Sequence, residues 1–238
     1  MIIRFVENIG FKTITFFRSI YNALEFSLIC LFSLFSFQHY NPQTLSTFVK
    51  QFYLITMASL PKFVFLAILL GSLLIGLVIV VAANYNLHLQ IGSIIVTFVL
   101  NEFAPLFTLF FVYLRLVPLI RSHLKSFNIE LLIPELLSGI MSTFVLSILF
   151  ALIMLSSGLI VTSFVMGMDL YTYKNIIFDA IGVQNIFILV LKSLLFGFVA
   201  VAVLSYDAIK SIKTPLMVLL MNIFFIEMLL LALQTLLA

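Results

Sequence analysis

The sequence predicts an all-α integral membrane protein, with an interfacial amphipathic helix at the N-terminus followed by about five transmembrane helices. Three observations carry this. Hydrophobic residues fill 64% of the 238 positions and charged residues only 9%, against about 45–50% and about 25% in soluble domains, so the apolar surplus must face lipid. The apolar runs exceed the roughly 10 residues of a membrane-spanning strand, and hydrocarbon cannot hydrogen-bond exposed backbone groups, which leaves helices. Most of the 12 Lys and Arg residues fall in short segments between those runs. There they report orientation across a bilayer rather than affinity for nucleic acid, and no nucleic-acid partner is expected.

Each element follows from the same reasoning. Over residues 2–24, Ile2, Val6, Ile9, Phe16, Phe17, Ile20 and Leu24 share one helical face, with Arg4, Asn8, Lys12, Ser19 and Asn22 on the other. This is the pattern of a helix lying in the membrane interface. The apolar piece 26–37 is about half the ~20 residues that a crossing needs, so it is expected to dip into one leaflet. A polar link, 38–51, follows. Residues 1–50 thus read as anchor and linker, and 51–238 as the transmembrane domain. Spans are expected over 63–83, 91–113, 131–166, 186–206 and Pro215–Leu237, with Pro134 and Pro215 near helix starts, where proline is tolerated. The third is longer than one bilayer, so it tilts, bends near Ser156-Ser157-Gly158, or projects.

Basic residues orient the chain. Arg4, Lys12, Arg18, Lys50 and Lys62 precede the first span, Arg115, Arg121 and Lys125 follow the second, and Lys210 and Lys213 follow the fourth. These are expected on the cytoplasmic side. The first loop and the C-terminal tail carry neither Lys nor Arg, and the third loop has only Lys174 beside Asp169 and Asp179. The N-terminus is therefore expected inside and the C-terminus outside. The first segment lacks the compact apolar core and cleavage site of a signal peptide.

No phosphate-binding Gly-rich loop, His-Glu-x-x-His or Gly-x-Ser-x-Gly occurs, so the chain is not expected to be an enzyme. His39, His88 and His123 lie in separate polar segments, and Cys30 stands alone in an apolar stretch, so no metal or cofactor is implied. The informative residues are ionisable groups inside the spans, because a charge at the bilayer centre costs at least about 2.5–3.5 kcal/mol unless paired or wetted. Glu102 lies about 16 Å into the second span, at about 1.5 Å per residue. Glu227 sits comparably deep in the fifth, and the flexible stem of Lys192 in the fourth could bring its ammonium to either carboxylate. Such a pair either locks helices together or borders a wet cavity that accommodates a lipid headgroup. Small residues at helix-packing spacing, Ser72/Gly76, Gly139/Thr143 and Gly158/Thr162, are consistent with close helix contacts and permit a dimer.

The order of these features resembles the MlaE/YrbE family of permeases. Similar stretches are Ile9-Gly10-Phe11-Lys12 with Arg18, Val49-Lys50-Gln51-Phe52-Tyr53, Leu100-Asn101-Glu102-Phe103-Ala104-Pro105, Ile133-Pro134-Glu135 and Leu191-Lys192-Ser193-Leu194-Leu195-Phe196-Gly197-Phe198. The last is the closest to the family pattern, a Lys-Ser-x-x-Phe-Gly-Phe. Arg115 falls where the family has Ala-Gly-Arg, and Glu227 where it has an Asp. The resemblance implies the permease subunit of an ABC-type phospholipid transporter in a bacterial inner membrane. It further implies a homodimer enclosing a lipid cavity, a separate ATP-binding cassette ATPase that performs the hydrolysis, and an MCE-type extracytoplasmic lipid-binding subunit. Glu102, Lys192, Glu227 and Asn101 become candidates for lining the cavity. Asn101 departs from the family's Arg, which removes a cation beside Glu102. The second cytoplasmic loop is also shorter than the family's and lacks its Glu-Gln-x-x-Ala-Leu motif. Arg115, Arg121, Lys125 and Glu130 then form an abbreviated docking surface for the ATPase, or simply a basic loop obeying membrane orientation. The alternative function is a structural or anchoring membrane subunit of such a complex that no longer couples to ATP. An intramembrane lipid-modifying enzyme would need a nucleophile or metal constellation that the sequence does not contain.

Overall fold

A backbone surrounded by hydrocarbon must satisfy its own N–H and C=O groups, and this chain does so with helices throughout. The computed structural model describes residues 2–36, 40–85, 90–123, 129–166, 170–210 and 215–237, and no strand occurs among them. In order, the helices are α1 (Ile2–Phe35), α2 (Pro42–Phe52) running into a π-helical turn (Tyr53–Met57), α3 (Leu60–Asn84), and α4 (Ile91–Val96) continuing through a π-helical segment (Thr97–Phe103) into α5 (Ala104–His123). Then come α6 (Ile129–Met166), α7 (Leu170–Ala180), α8 (Val183–Lys210) and α9 (Pro215–Leu237).

Six of the described helical stretches are long and apolar enough to cross a membrane: Phe17–Phe35, Leu60–Ala82, Ile91–Ser122, Leu131–Ser163, Val183–Lys210 and Pro215–Ala232. Five match the expected spans. The sixth is the second half of α1, where the sequence suggests an interfacial helix and then a separate half-length dip; the structure makes both parts of one continuous helix. Three further differences have local causes. The polar link is helical from Pro42, a residue tolerated in a first helical turn, with Thr44 and Gln51 buried and Leu45, Val49 and Lys50 exposed. The third loop contains α7, whose Tyr173 and Ile177 are buried four residues apart. Finally, α5 continues through Pro118 to His123, so Arg115 and Arg121 sit on a helix rather than in a loop.

The chain forms two compact units: Met1–Phe48 with Leu116–Leu137 and Phe198–Ala238, and Val49–Arg115 with Ser138–Gly197. In the first, α1 packs along α9, with Phe26 and Tyr206 in ring contact at 5.6 Å, and Tyr40, Asn41, Pro42, Thr44, Leu45 and Leu137 line a cavity of about 390 Å³. In the second, the inner stripe of α3 is Phe63, Ala67, Gly71, Ile75 and Ile79, at four-residue spacing, while Phe65, Leu69, Leu73 and Leu77 point outward. Such a helix is apolar all round because one side meets protein and the other lipid. Small residues let α3 and α6 approach: a Cβ at Gly71 would stand 2.9 Å from the Met154 Cα, Gly158 abuts Ile75 and Tyr173, and Gly76 faces Val161. Gly76 and Gly158, noted in the sequence for their spacing, thus make contacts within the chain. α6 runs unbroken through Ser156-Ser157-Gly158, and both serine hydroxyls donate to carbonyls three or four residues earlier.

Candidate functional site

Pro105 shapes the segment that carries the buried carboxylate. It has no N–H to offer the carbonyl of Asn101, and in a regular α-helix its ring would crowd that carbonyl. The helix widens ahead of it into the π-helical segment Thr97–Phe103, closed by the Ala104 N–H donating to the Val99 carbonyl. Widened turns of this kind recur at functional sites. The same device precedes Pro61, where the Ala58 N–H donates to Tyr53 at 3.1 Å.

Asn101 and Glu102 lie on this segment, and α8 delivers their partners. Asn185 and Lys192 are seven residues apart, about two helical turns, and so share one face of α8. Lys192 Nζ donates to Glu102 Oε1 at 2.9 Å. The two ends of the pair differ sharply in exposure: the lysine side chain is 1% exposed and the glutamate 45%. Asn101 Nδ2 donates to Asn185 Oδ1 at 3.2 Å, while Asn185 Nδ2 donates to the Ala180 carbonyl at 3.3 Å. Because a carbonyl only accepts, that last bond fixes the orientation of both amides. Asn101 Oδ1 is left buried, with no hydrogen-bond partner among the described residues.

The local sequence of α8 explains how Lys192 is held. Ser193 returns its hydroxyl to the Val190 carbonyl, Phe196 is fully buried, and Gly197 lets α8 close onto α6, where a Cβ would lie 2.9 Å from the Ile140 Cα. On the other side of the site, Phe103, Phe107 and Phe111 at four-residue spacing meet Phe63 of α3 and Phe150 of α6, with Phe107 and Phe150 stacked at 4.5 Å and Phe63 and Phe111 edge-on at 4.9 Å. Arg115 continues the stripe, its guanidinium 5.9 Å from the Phe111 ring centre.

Of the expected cavity residues, Glu102 and Lys192 are brought together and Asn101 joins them through Asn185. Glu227 lies half-buried on α9, in the other compact unit. Of the expected docking residues, Arg121 Nη2 pairs with Asp207 Oδ2 at 3.0 Å, with the arginine exposed and the aspartate buried. Lys125 and the side chain of Glu130 lie outside the described residues, as do His39, His88 and the side chain of His123. Among the described residues no group of His, Cys, Asp and Glu could hold a metal. Asn185 and Asp207 were not singled out in the sequence. Both left a signal: Asn185 stands two turns from Lys192, and Asp207 is an acidic residue in a helix C-terminal region, where the macrodipole favours cations. Outside the spans, burial pushes the Tyr173 hydroxyl up to about 12, and that hydroxyl donates to the Leu155 carbonyl at 3.0 Å.

Fold and site are those of a multi-pass α-helical membrane protein that carries an ion pair inside its helices. Residues 125–219 match the family model described as Permease MlaE, and this match supports membership of the chain in that family, whose members are permeases of ABC-type transport. The matched stretch contains α6, α7, α8 and the start of α9, hence Lys192 and Asp207 but not Glu102. No curated protein matches the chain.

Proposed function

We propose that the chain is the permease subunit of an ABC-type phospholipid transporter in a bacterial inner membrane. Two copies form the lipid cavity, a separate ATPase docks near Arg115, Arg121, Lys125 and Glu130, and an MCE-type subunit exchanges lipid on the outer side. Glu102, Lys192, Asn101 and Glu227 border the cavity, and residues 51–238 form the permease domain behind an anchor of residues 1–50. The observation that carries this reading is the Glu102–Lys192 pair. Glu102 lies about 16 Å into its helix and Lys192 about 14 Å into α8 at about 1.5 Å per residue, so both lie deep within stretches long and apolar enough to cross a membrane. The Glu102 side chain is nevertheless 45% exposed. An ion pair that merely locked two helices would be sealed on all sides; an open carboxylate at that depth needs water or a polar headgroup beside it.

Charge placement supports a cytoplasmic N-terminus and an outer C-terminus. If α1 crossed, Arg4 and Lys12 would lie opposite Lys50 and Lys62, against the basic bias of cytoplasmic segments. Glu25, exposed in the middle of Phe17–Phe35, also resists full insertion. The test is transfer of labelled phospholipid by the reconstituted complex. Lys192→Met, which keeps the aliphatic stem, should abolish transfer while the protein remains monodisperse and its partners bound; undiminished transfer would remove the cavity role. If no ATPase co-purifies with the wild-type chain, the structural-anchor reading takes over.

A further inference from the structure

We infer that the Glu102 site selects amphiphiles whose headgroup carries a primary ammonium, an inference that rests on the lipid-transport reading and names its substrate class. The ion pair is a dipole with a fixed direction. Its positive end belongs to Lys192, whose side chain is 1% exposed, and its negative end to Glu102, whose side chain is 45% exposed. A headgroup arriving at the site therefore meets the carboxylate, and in a low-dielectric setting the nearer end of a dipole dominates.

The neighbouring amides do not reverse this polarity. One N–H of Asn101 is taken by Asn185, and one N–H of Asn185 by the Ala180 carbonyl. Asn101 Oδ1 is itself buried, with no donor among the described residues. The side chain that the site opens outward is thus an acceptor, Glu102. Arg115 is thirteen residues from Glu102, about 20 Å along the helix at about 1.5 Å per residue, and lies against Phe111. It is too far to serve as the cationic partner of a phosphate held at Glu102. An ammonium satisfies such a site twice, by charge and by N–H donors. A quaternary ammonium brings the charge alone, and a headgroup whose only charge is its phosphate is repelled.

The full-length chain, purified from membranes and equilibrated in bilayers with equal parts of phosphatidylethanolamine, its N-methyl and N,N-dimethyl derivatives, phosphatidylcholine and phosphatidylglycerol, supplies the test. Retained lipid is counted by native mass spectrometry. The expected result is enrichment of phosphatidylethanolamine over phosphatidylglycerol by about tenfold, the equivalent of one charge-assisted hydrogen bond, with retention falling stepwise as methyl groups replace N–H donors. The double variant Glu102→Gln/Lys192→Gln, which keeps a neutral hydrogen-bonded pair, should retain lipid without preference. Lipid retained in bilayer proportions by the wild type, or an unchanged preference in the double variant, overturns the inference and leaves lipid transport standing. A chain that retains no lipid at all overturns the transport reading as well. The methylation series needs no variant, so the inference remains testable if the double substitution does not fold.

Discussion

Removing Glu102 and removing the charge of Lys192 each delete the same ion pair, yet the structure makes the two deletions unequal. Glu102→Ala removes the carboxylate that stands 2.9 Å from the ammonium of a side chain only 1% exposed; breaking a buried pair from one side costs about 3–5 kcal/mol. Lys192→Met keeps the buried stem and strands the carboxylate of a side chain that is 45% exposed. If water reaches that carboxylate, the loss is a charge-assisted hydrogen bond that solvent screening reduces to about 1 kcal/mol. The two variants should therefore differ by at least about 2 kcal/mol, roughly thirtyfold in the unfolding equilibrium. Reversible unfolding in mixed micelles of dodecyl sulfate and dodecyl maltoside measures both against the wild type. A cost for Lys192→Met as large as for Glu102→Ala would mean that the open side of the carboxylate faces hydrocarbon, where an unpaired charge costs about 2.5–3.5 kcal/mol. That result refutes the wet cavity.

Gly197→Ala should destabilise by about 1–3 kcal/mol, because the new methyl meets the Ile140 backbone at 2.9 Å. Gly76→Ala, opposed among the described residues only by a Val161 methyl at 3.1 Å, should change stability by less than about 1 kcal/mol, and equal effects in a thermal melt would contradict the packing. Tyr173→Phe should cost about 1 kcal/mol at neutral pH through its bond to Leu155. Burial holds the folded hydroxyl near 12, above its ordinary 10, so the wild type should lose stability as pH rises from 10 towards 12; a Phe variant that loses just as much over that window would exclude Tyr173 as the cause. Arg121→Ala removes the guanidinium 3.0 Å from buried Asp207, so it should be more destabilising than Asp207→Asn in the same micelle assay, and the reverse order would place the cost elsewhere.

Much of the fold was legible because lipid imposes few rules. Run length and composition give helices, and the basic residues mark the segments between them, so five spans fall where they were expected. The extra elements were harder to read because they answer to tertiary contacts. α7 exists because Tyr173 and Ile177 bury their side chains, with Gly92 of α4 pressed against Ile176, and nothing in the run of residues 170–180 discloses that neighbour. Glu102 and Lys192 could be singled out from depth alone, since the cost of an unpaired charge at mid-membrane is large whatever the fold. Their pairing was one of two open choices. Asn185 and Asp207 were missed because an amide at a helix start and a carboxylate at a helix end are cheap in water; their importance comes from burial, which one sequence does not display.

The opening of Glu102 follows from aromatic packing rather than from electrostatics. In membrane helices the apolar driving force between segments is small and van der Waals fit takes its place. Phe103, Phe107 and Phe111 seat against Phe63 and Phe150 in four ring contacts between 4.5 and 5.9 Å. At about 0.5–1.5 kcal/mol for each pair, these contacts sum to several kcal/mol. A buried ion pair, by contrast, roughly balances its attraction against desolvation. The aromatic stripe therefore sets the rotation of the helix, and Glu102, one residue before Phe103, is turned off the packed face into a half-open position. Lys192, whose helix is held against α6 at Gly197, must come to the carboxylate. This division leaves the cation buried and the anion open, which is the polarity on which the headgroup preference depends.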